Sequence, residues 1–530
     1  MDLTRLIRAL SNPAAYPGAV DAVEVQQTHI SVVFLAGQHA YKIKKPLVCG
    51  FLDYGTLERR RDFCEQEVRL NRRLAPSVYL GVVPVTRDET GLRMEGSGEV
   101  VEWAVKMTRL PVEARLGERL RLGEVGPKQV KALALRLAEF HARAEGGPSV
   151  AAFGRLSVVS DNALDNFDQS VEHVGTTLSR TVFDELRLLT VRALTSLGPV
   201  IEARVARGVT REGHGDLRLD HVYLFPEQAP PADLIVIDCI EFGARFRCAD
   251  PVADVAFLVM ELAFEGRRDL ATGLADAYFA ATGDAEGRVL LPFYVAYRAA
   301  VRGKVEGMEL AEPEIPESER QAALDHSRAH WLLALAELRE VDRRPCLILV
   351  GGLPGAGKST LARGLAERAG FSVVRSDLVR KELAGLAQGA AAPSAYEAGI
   401  YTHAMTERTY AECLRRAEAL LFEGERVLVD ASFLRDSHRR LFLEAAKRWR
   451  VPSRLFLCQA DPAVIQDRLR HRHGDASDAD WAIYQMAAEQ WEDTGPQTGP
   501  LCSVIRTDAS SEEALSQALE VLGSLGLGKR

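Results

Sequence analysis

The sequence predicts two domains of different class. Residues 1–340 read as an α+β domain, and residues 341–530 as an α/β domain with a doubly wound, mostly parallel sheet. Three observations predict this. A chain of 530 residues exceeds one ordinary core and suggests two to four domains. Residues 23–45 hold three closely spaced strand-like runs, whereas 346–369 reads as strand, glycine-rich loop and helix in succession. Between them, 317–340 reads as a helix that breaks at Val341-Asp342-Arg343-Arg344-Pro345, and the boundary is placed there.

Charged residues make up 26% and hydrophobic ones 47%, the balance of a soluble globular protein. The net charge of −8 gives no global support to nucleic-acid binding. Eight cysteines without a C-x-x-C pair indicate neither a zinc site nor a disulfide framework. The N-terminus lacks a signal peptide's apolar stretch and no run is long enough to span a membrane, so a cytoplasmic, reduced protein is expected.

In the first half the runs are Val23-Glu24-Val25, Ile30 to Leu35 and His39 to Lys45, with a turn at Ala36-Gly37-Gln38. Alternation puts Ala40, Lys42 and Lys44 on one face of the third strand, and Tyr41 and Ile43 on the other. The helix expected over 57–74 offers Glu67, or less readily Glu65, as partner for Lys42. Further on, His214-Gly215-Asp216-Leu217-Arg218-Leu219-Asp220-His221 precedes the strand-like runs Val222 to Phe225 and Leu234 to Ile237, ending on Asp238. A carboxylate before a hairpin and hard ligands at the hairpin's mouth suit a hydroxyl nucleophile and divalent metal.

The span from about 20 to 310 resembles the aminoglycoside phosphotransferase-like kinases, on HGDLRLDH at 214–221, IDCIEF at 237–242 and DPVADVAF at 250–257. The resemblance implies a protein-kinase-like fold and an ATP site. In it Asp216 is the catalytic base, His221 and Asp238 hold Mg²⁺, and Lys42 with Glu67 orders the phosphates. It makes Asp250 and Asp254 a structural acidic pair, and Glu102 to Met107 the strand leading to adenine-binding backbone. Two features depart from the family: His221 stands where asparagine is usual, and no G-x-G-x-x-G precedes Lys42.

In the second half, Cys346 to Val350 is a continuous apolar run, as in a buried parallel strand. Then comes Gly352-Leu353-Pro354-Gly355-Ala356-Gly357-Lys358-Ser359-Thr360, which fits G-x-x-x-x-G-K-[ST]. In such a loop backbone N–H groups wrap phosphate at a helix N-terminus. Lys358 reaches the β- and γ-phosphates and the Ser359 hydroxyl serves Mg²⁺.

The next strand, 371–375, ends at Ser376-Asp377-Leu378-Val379-Arg380. Residues just past a strand's C-terminal end line the crevice of a doubly wound sheet. Asp377 is therefore placed to take a proton from a substrate hydroxyl, or alternatively to cap the following helix; Arg380 lies one turn on. Residues 385–394 read as a weakly structured substrate loop, followed by a helix from about 400 to 423 that stops at Gly424. The strand at 426–430 ends on Asp430, available to metal or substrate, and the His438-Arg439-Arg440 cluster after Arg435 reads as a solvated basic face. After a strand at 455–458, a helix carries Arg468 and Arg472 one turn apart; a last strand at 503–508 and a helix near 511–523 close the domain.

These pieces resemble the P-loop small kinases, among them polynucleotide kinase, zeta-type toxin, chloramphenicol phosphotransferase and gluconate kinase. The resemblance implies a P-loop NTPase fold in which Asp377 is the base, Arg380 and Asp430 position substrate, and Arg472 with Arg468 forms a lid. The whole chain resembles bacterial proteins that fuse the two kinase types. It implies transfer of the γ-phosphate of ATP to a small-molecule hydroxyl at two ATP sites. Two alternatives stand beside it: a nucleotide-sensing regulatory protein with a degenerate first domain, and a nucleic-acid 5′-end kinase, which the acidic charge does not favour. Neither the acceptors nor the oligomeric state is legible.

Overall fold

A computed structural model describes residues 2–49, 52–89, 91–310, 316–387, 401–471 and 480–528. By contact the chain divides into two compact units: Met1–Asn162 with Ser196–Val295, and Ala163–Thr195 with Ala296–Arg530.

The first unit has the protein-kinase-like α+β fold. Six antiparallel strands lie in the order Val23–Gln27, Ser31–Ala36, His39–Lys44, Glu99–Thr108, Tyr79–Asp88, Gly91–Met94. Strand alternation gives the sheet two differently used faces. Tyr41 and Ile43 join Val32, Phe34 and Ala104 in a core closed by Leu6, Leu10 and Tyr16. Ala40, Val105 and Met107 instead face Cys64 and Val68 of the helix Leu57–Asn71. Lys42 and Lys44 lie on that second side, toward the helix. Thr56 starts the helix by accepting the Arg59 N–H at 3.2 Å, and it ends three residues before the expected 74.

Beyond the sheet, Val222–Leu224 and Leu234–Val236 form the expected hairpin. The helix Pro251–Phe264 is buried along nearly its whole length and is capped by Asp250, whose carboxylate accepts the Val252 N–H at 3.0 Å.

The second unit has the P-loop NTPase fold. Its five parallel strands lie in the order Ser372–Arg375, Arg426–Asp430, Cys346–Gly351, Ser453–Gln459, Cys502–Arg506. The strand leading into the glycine loop is central and all six of its residues are buried, which is why it reads as an unbroken apolar run. The helices Lys358–Ala369 and Ser511–Ser524 bury Leu361, Leu365, Leu515, Ala518 and Leu522 in one core with the sheet. His403–Phe422 and Asp436–Arg448 pack against the strands as well. Register sets Asp430 beside Val350, so its carboxylate stands at the mouth of the glycine loop.

This unit also includes helical segments that precede residue 341. Glu317–Leu338 buries Trp331, Leu332, Leu333 and Leu335. Arg339 Nε donates to Glu185 Oε1 at 2.8 Å, and its guanidinium also donates to the carbonyl of Gly424. The contact division thus falls within three helices that all precede the boundary read from the sequence, Leu156–Asp168, Arg180–Ala206 and Leu291–Glu309. No helix among the described residues is long and apolar enough to cross a membrane.

Candidate active sites

In the first unit, four distant segments converge. Lys42 Nζ lies 3.0 Å from Glu67 Oε1 and donates to Asp238 Oδ1 at 2.6 Å. Of the two candidate glutamates, Glu67 is buried and faces the strand, whereas Glu65 is exposed and pairs with Arg61 on its own helix. Burial opposes the Lys42 charge, but Asp238, Glu67 and Glu241 outweigh it and hold its pKa well above the ordinary lysine value. Burial likewise opposes the charge of Asp238, yet Lys42 and His221 keep its carboxyl well below the usual range. Asp238 adopts φ +66°, and its N–H donates to Tyr79 Oη at 3.1 Å.

His221 bridges the two aspartates. Its Nδ1–H donates to the Asp216 carbonyl oxygen at 2.8 Å, and its Nε2 lies 3.6 Å from Asp238 Oδ2. A backbone carbonyl that fixes one ring nitrogen and frees the other is the arrangement that orients metal-binding histidines. Asp238 and His221 therefore fit a divalent ion as a pair. Among the described residues no group of three or more His, Cys, Asp or Glu side chains is arranged to hold one. Any further ligands would come from water or phosphate oxygens.

The turn carrying Asp216 is held from behind. Asp254 accepts the N–H groups of His214 at 2.6 Å and Gly215 at 2.8 Å. Gly215 takes φ +87°, and a Cβ there would lie 2.9 Å from the Phe246 carbonyl. Asp250 pairs with Arg204 at 2.6 Å. Burial pushes the His214 pKa down to about 4, and its ring meets the Ile237 carbonyl at 3.0 Å. Glu102 to Met107 lies within the strand Glu99–Thr108.

In the second unit the phosphate cradle is backbone. Gly352, Gly355 and Gly357 have φ of +139°, +78° and +84°, and Leu353, Pro354 and Ala356 complete the turn. A Cβ on Gly352 would lie 2.6 Å from the Cys458 carbonyl, and one on Gly355 2.9 Å from Ile465 Cγ2. Lys358 opens the following helix with Ser359 and Thr360, and its Nζ donates to the Leu353 carbonyl at 2.9 Å. Ser359 Oγ donates to Asp430 Oδ2 at 2.7 Å and accepts from Arg375 at 3.3 Å. Burial pushes the Asp430 carboxyl above its ordinary value, against the pull of Lys358 and Ser359. A hydroxyl and a buried carboxylate side by side at a glycine cradle fit Mg²⁺ and nucleotide phosphate.

Beside the cradle lies a cavity of about 170 Å³. Lys358, Asp377, Arg380 and Asp430 all line it. Asp377 sits in the first turn of the helix Ser376–Leu383, whose N-cap is Arg375, so the capping alternative does not describe it. Arg380 donates to Thr406 Oγ1 at 3.1 Å and lies over the Tyr401 ring. Arg468 donates to the Thr507 carbonyl at 2.5 Å. Its Nη1 is buried without a hydrogen-bond partner among the described residues, 3.7 Å from where a Cβ on Gly357 would stand. Arg472 and residues 388–394 of the expected loop lie outside the described residues.

The basic cluster at 438–440 is not a solvated face. His438 is buried, stacks on Tyr410 at 3.9 Å and meets Glu407 Oε1 at 2.9 Å. Arg439 is fully buried and donates to the carbonyls of Phe433, Leu434 and Glu492; only Arg440 is exposed. Sequence reading missed Arg375, His403, Glu407, Tyr410 and Ser432. Helical spacing of His403, Glu407 and Tyr410 on one face was the available signal.

Comparison with known proteins gives the chain's relatives. Uncharacterized proteins of Mycobacterium tuberculosis and Mycobacterium bovis are each 33% identical to it over 501 residues, covering 94% of this chain and 95% of their own. The chain belongs to their family. A family model described as an AAA domain matches residues 347–490, the span of the glycine loop and the cavity. Solved structures that align include the GDP complex of an aminoglycoside 2′-phosphotransferase variant, at 16% identity, 61% of this chain, 97% of that one and a TM-score of 0.39. A gluconokinase from Sinorhizobium meliloti aligns at 23% identity, 36% of this chain, 95% of that one and a TM-score of 0.27. At these scores the folds of both units rest on strand order and register.

Proposed function

We propose that the chain is an ATP-dependent phosphotransferase that moves the γ-phosphate to a hydroxyl of a small molecule, with one ATP site in each unit and Mg²⁺ at both. The observation that carries this reading is the shared cavity that brings Lys358, Asp377, Arg380 and Asp430 together. A phosphate-binding lysine and a carboxylate base around one cavity suit in-line transfer from nucleotide to acceptor.

In this reading Asp377 takes the acceptor hydroxyl's proton as that oxygen bonds to the γ-phosphorus, the β–γ bridging bond breaks and ADP leaves. Lys358 and Arg468 offset charge on the phosphate oxygens, and Arg380 holds the acceptor. Ser359 and Asp430 would hold Mg²⁺, which supplies charge neutralisation when bound. In the first unit Asp216 would be the base, His221 and Asp238 the metal ligands, and Lys42 with Glu67 the phosphate grip. A cytoplasmic location goes with small-metabolite acceptors, and a cavity of this size suits a small molecule better than a polynucleotide.

The test is γ-phosphate transfer from Mg-ATP to a pooled metabolite extract, with single-stranded oligonucleotides as a separate acceptor. A labelled small molecule whose formation disappears in Lys358→Ala supports the reading. Labelled oligonucleotide ends instead would make the protein an end kinase. ATP turnover without any labelled acceptor would favour a nucleotide-sensing role.

A further inference from the structure

The first unit holds a buried charge cluster that the phosphate grip alone does not require. Glu67 has no solvent exposure, and its two oxygens face two lysines: Oε1 meets Lys42 at 3.0 Å and Oε2 accepts from Lys44 at 2.7 Å. Lys44, itself buried, also donates to Glu241 Oε1, which accepts from Tyr54 Oη as well. Lys44 Nζ further lies 5.1 Å from the Tyr54 ring centre. Burial opposes the charges of Lys44 and Glu241, but each holds the other ionised.

Glu241 stands three residues after Asp238, and this segment is fastened along its length. Ile237 N donates to the His221 carbonyl at 2.9 Å, Asp238 N to Tyr79 Oη at 3.1 Å, and Cys239 N to Asn71 Oδ1 at 2.9 Å. Ile240 N donates to the His214 carbonyl at 3.1 Å. Lys44 thus links the carboxylate that sets Lys42 to the carboxylate of Glu241, on the segment that carries Asp238.

A carboxylate buried as deeply as Glu67 needs a permanent cation. Lys42 cannot be that cation alone, because phosphate oxygens compete for its ammonium in the reading given above. We propose that Lys44 and Glu241 are positioning residues for the first unit's nucleotide site. Lys44 keeps Glu67 neutralised and fixed while Lys42 turns to phosphate, and Glu241 fixes the segment that presents Asp238. The inference rests on the first unit binding ATP.

The test uses the full chain carrying Lys358→Ala, which silences the glycine-loop site. Mg-AMP-PNP and adenosine are titrated separately by calorimetry, before and after adding Lys44→Met or, as a shape-preserving change, Glu241→Gln. The expected result is Mg-AMP-PNP affinity about tenfold or more weaker in each variant, within the range seen when partners behind a ligating residue are removed, with adenosine affinity unchanged. Equal weakening of both ligands would mean a general loss of structure and would overturn the proposal. So would unchanged Mg-AMP-PNP affinity. If the Lys358→Ala parent binds no Mg-AMP-PNP, the first-unit ATP site fails and this proposal with it. That outcome is distinct from the other two.

Discussion

In the proposed reading the two candidate sites solve one problem, holding a polyphosphate, with opposite materials. In the second unit the cradle is contiguous backbone, shaped by Gly352, Gly355 and Gly357, and one lysine and one serine follow it directly. In the first unit the grip is made of side chains from four segments, Lys42, Glu67, the turn at Asp216 and the hairpin end at Asp238, which only the fold brings together. Backbone dipoles need no counter-charge, so the glycine loop sits beside a cavity still lined with polar side chains. Buried lysines need carboxylates, so the first site is a network in which two lysines each meet two of three carboxylates. Single changes should therefore act differently in the two units. In the second, changes to the side chains that line the cavity cost catalysis, and in the first, changes within the lysine–carboxylate network cost both assembly and binding.

The largest expected effect is on chemistry in the second unit. Lys358→Ala should lower its transfer rate by about a hundredfold or more while leaving the unfolding temperature nearly unchanged; steady-state kinetics beside a thermal melt checks this. A large drop in melting temperature would make Lys358 structural and erase the contrast. Asp216→Ala should remove a different phosphorylated product at little cost in stability, because its turn is held by Asp254. Loss of the same product as in Lys358→Ala would merge the sites into one.

Stability effects come next. Removing one partner of a buried ion pair leaves a charge unanswered, so Glu67→Ala should cost about 3–5 kcal/mol in chemical denaturation. Gly352→Ala forces a Cβ to within 2.6 Å of the Cys458 carbonyl at a φ that L-residues avoid, and should cost about 1–3 kcal/mol. A denaturation midpoint for Gly352→Ala equal to wild type would show that the cradle is not rigid. The smallest effect concerns the boundary. A fragment of residues 341–530 loses the partners that Leu335, Val182 and Arg339 provide around Gly424. It should melt below a chain that retains residues 163–195 and 296–340, and equal melting would favour the boundary read from the sequence.

The same contrast explains what was legible. The glycine loop is read from nine consecutive residues because backbone geometry dictates residue type locally. The strands around it are legible as short runs, one followed by Asp377 and one ending on Asp430, whereas their order in the sheet is seen only in the fold. Charge pairing across 20 to 200 residues leaves no such local trace. The sequence favours Glu67 over Glu65 for Lys42, and the structure adds that Cys64, Glu67, Val68 and Asn71 share helical spacing and are all buried. Lys44 was placed on the face of Lys42 but given no role, since Glu241, its partner, lies 197 positions away. The buried cluster at His438 and Arg439 misled for a related reason. Charge suggested solvent, but Arg439 meets three carbonyls and His438 meets Tyr410 and Glu407 only after folding.

The most direct test of the central claim, two independent nucleotide sites in one chain, is the number of Mg-AMP-PNP molecules bound per chain at saturation. The account predicts two for wild type, one for Lys358→Ala, one for Lys42→Met and none for the double variant. A wild-type chain that binds one, with both single variants losing it together, would contradict it.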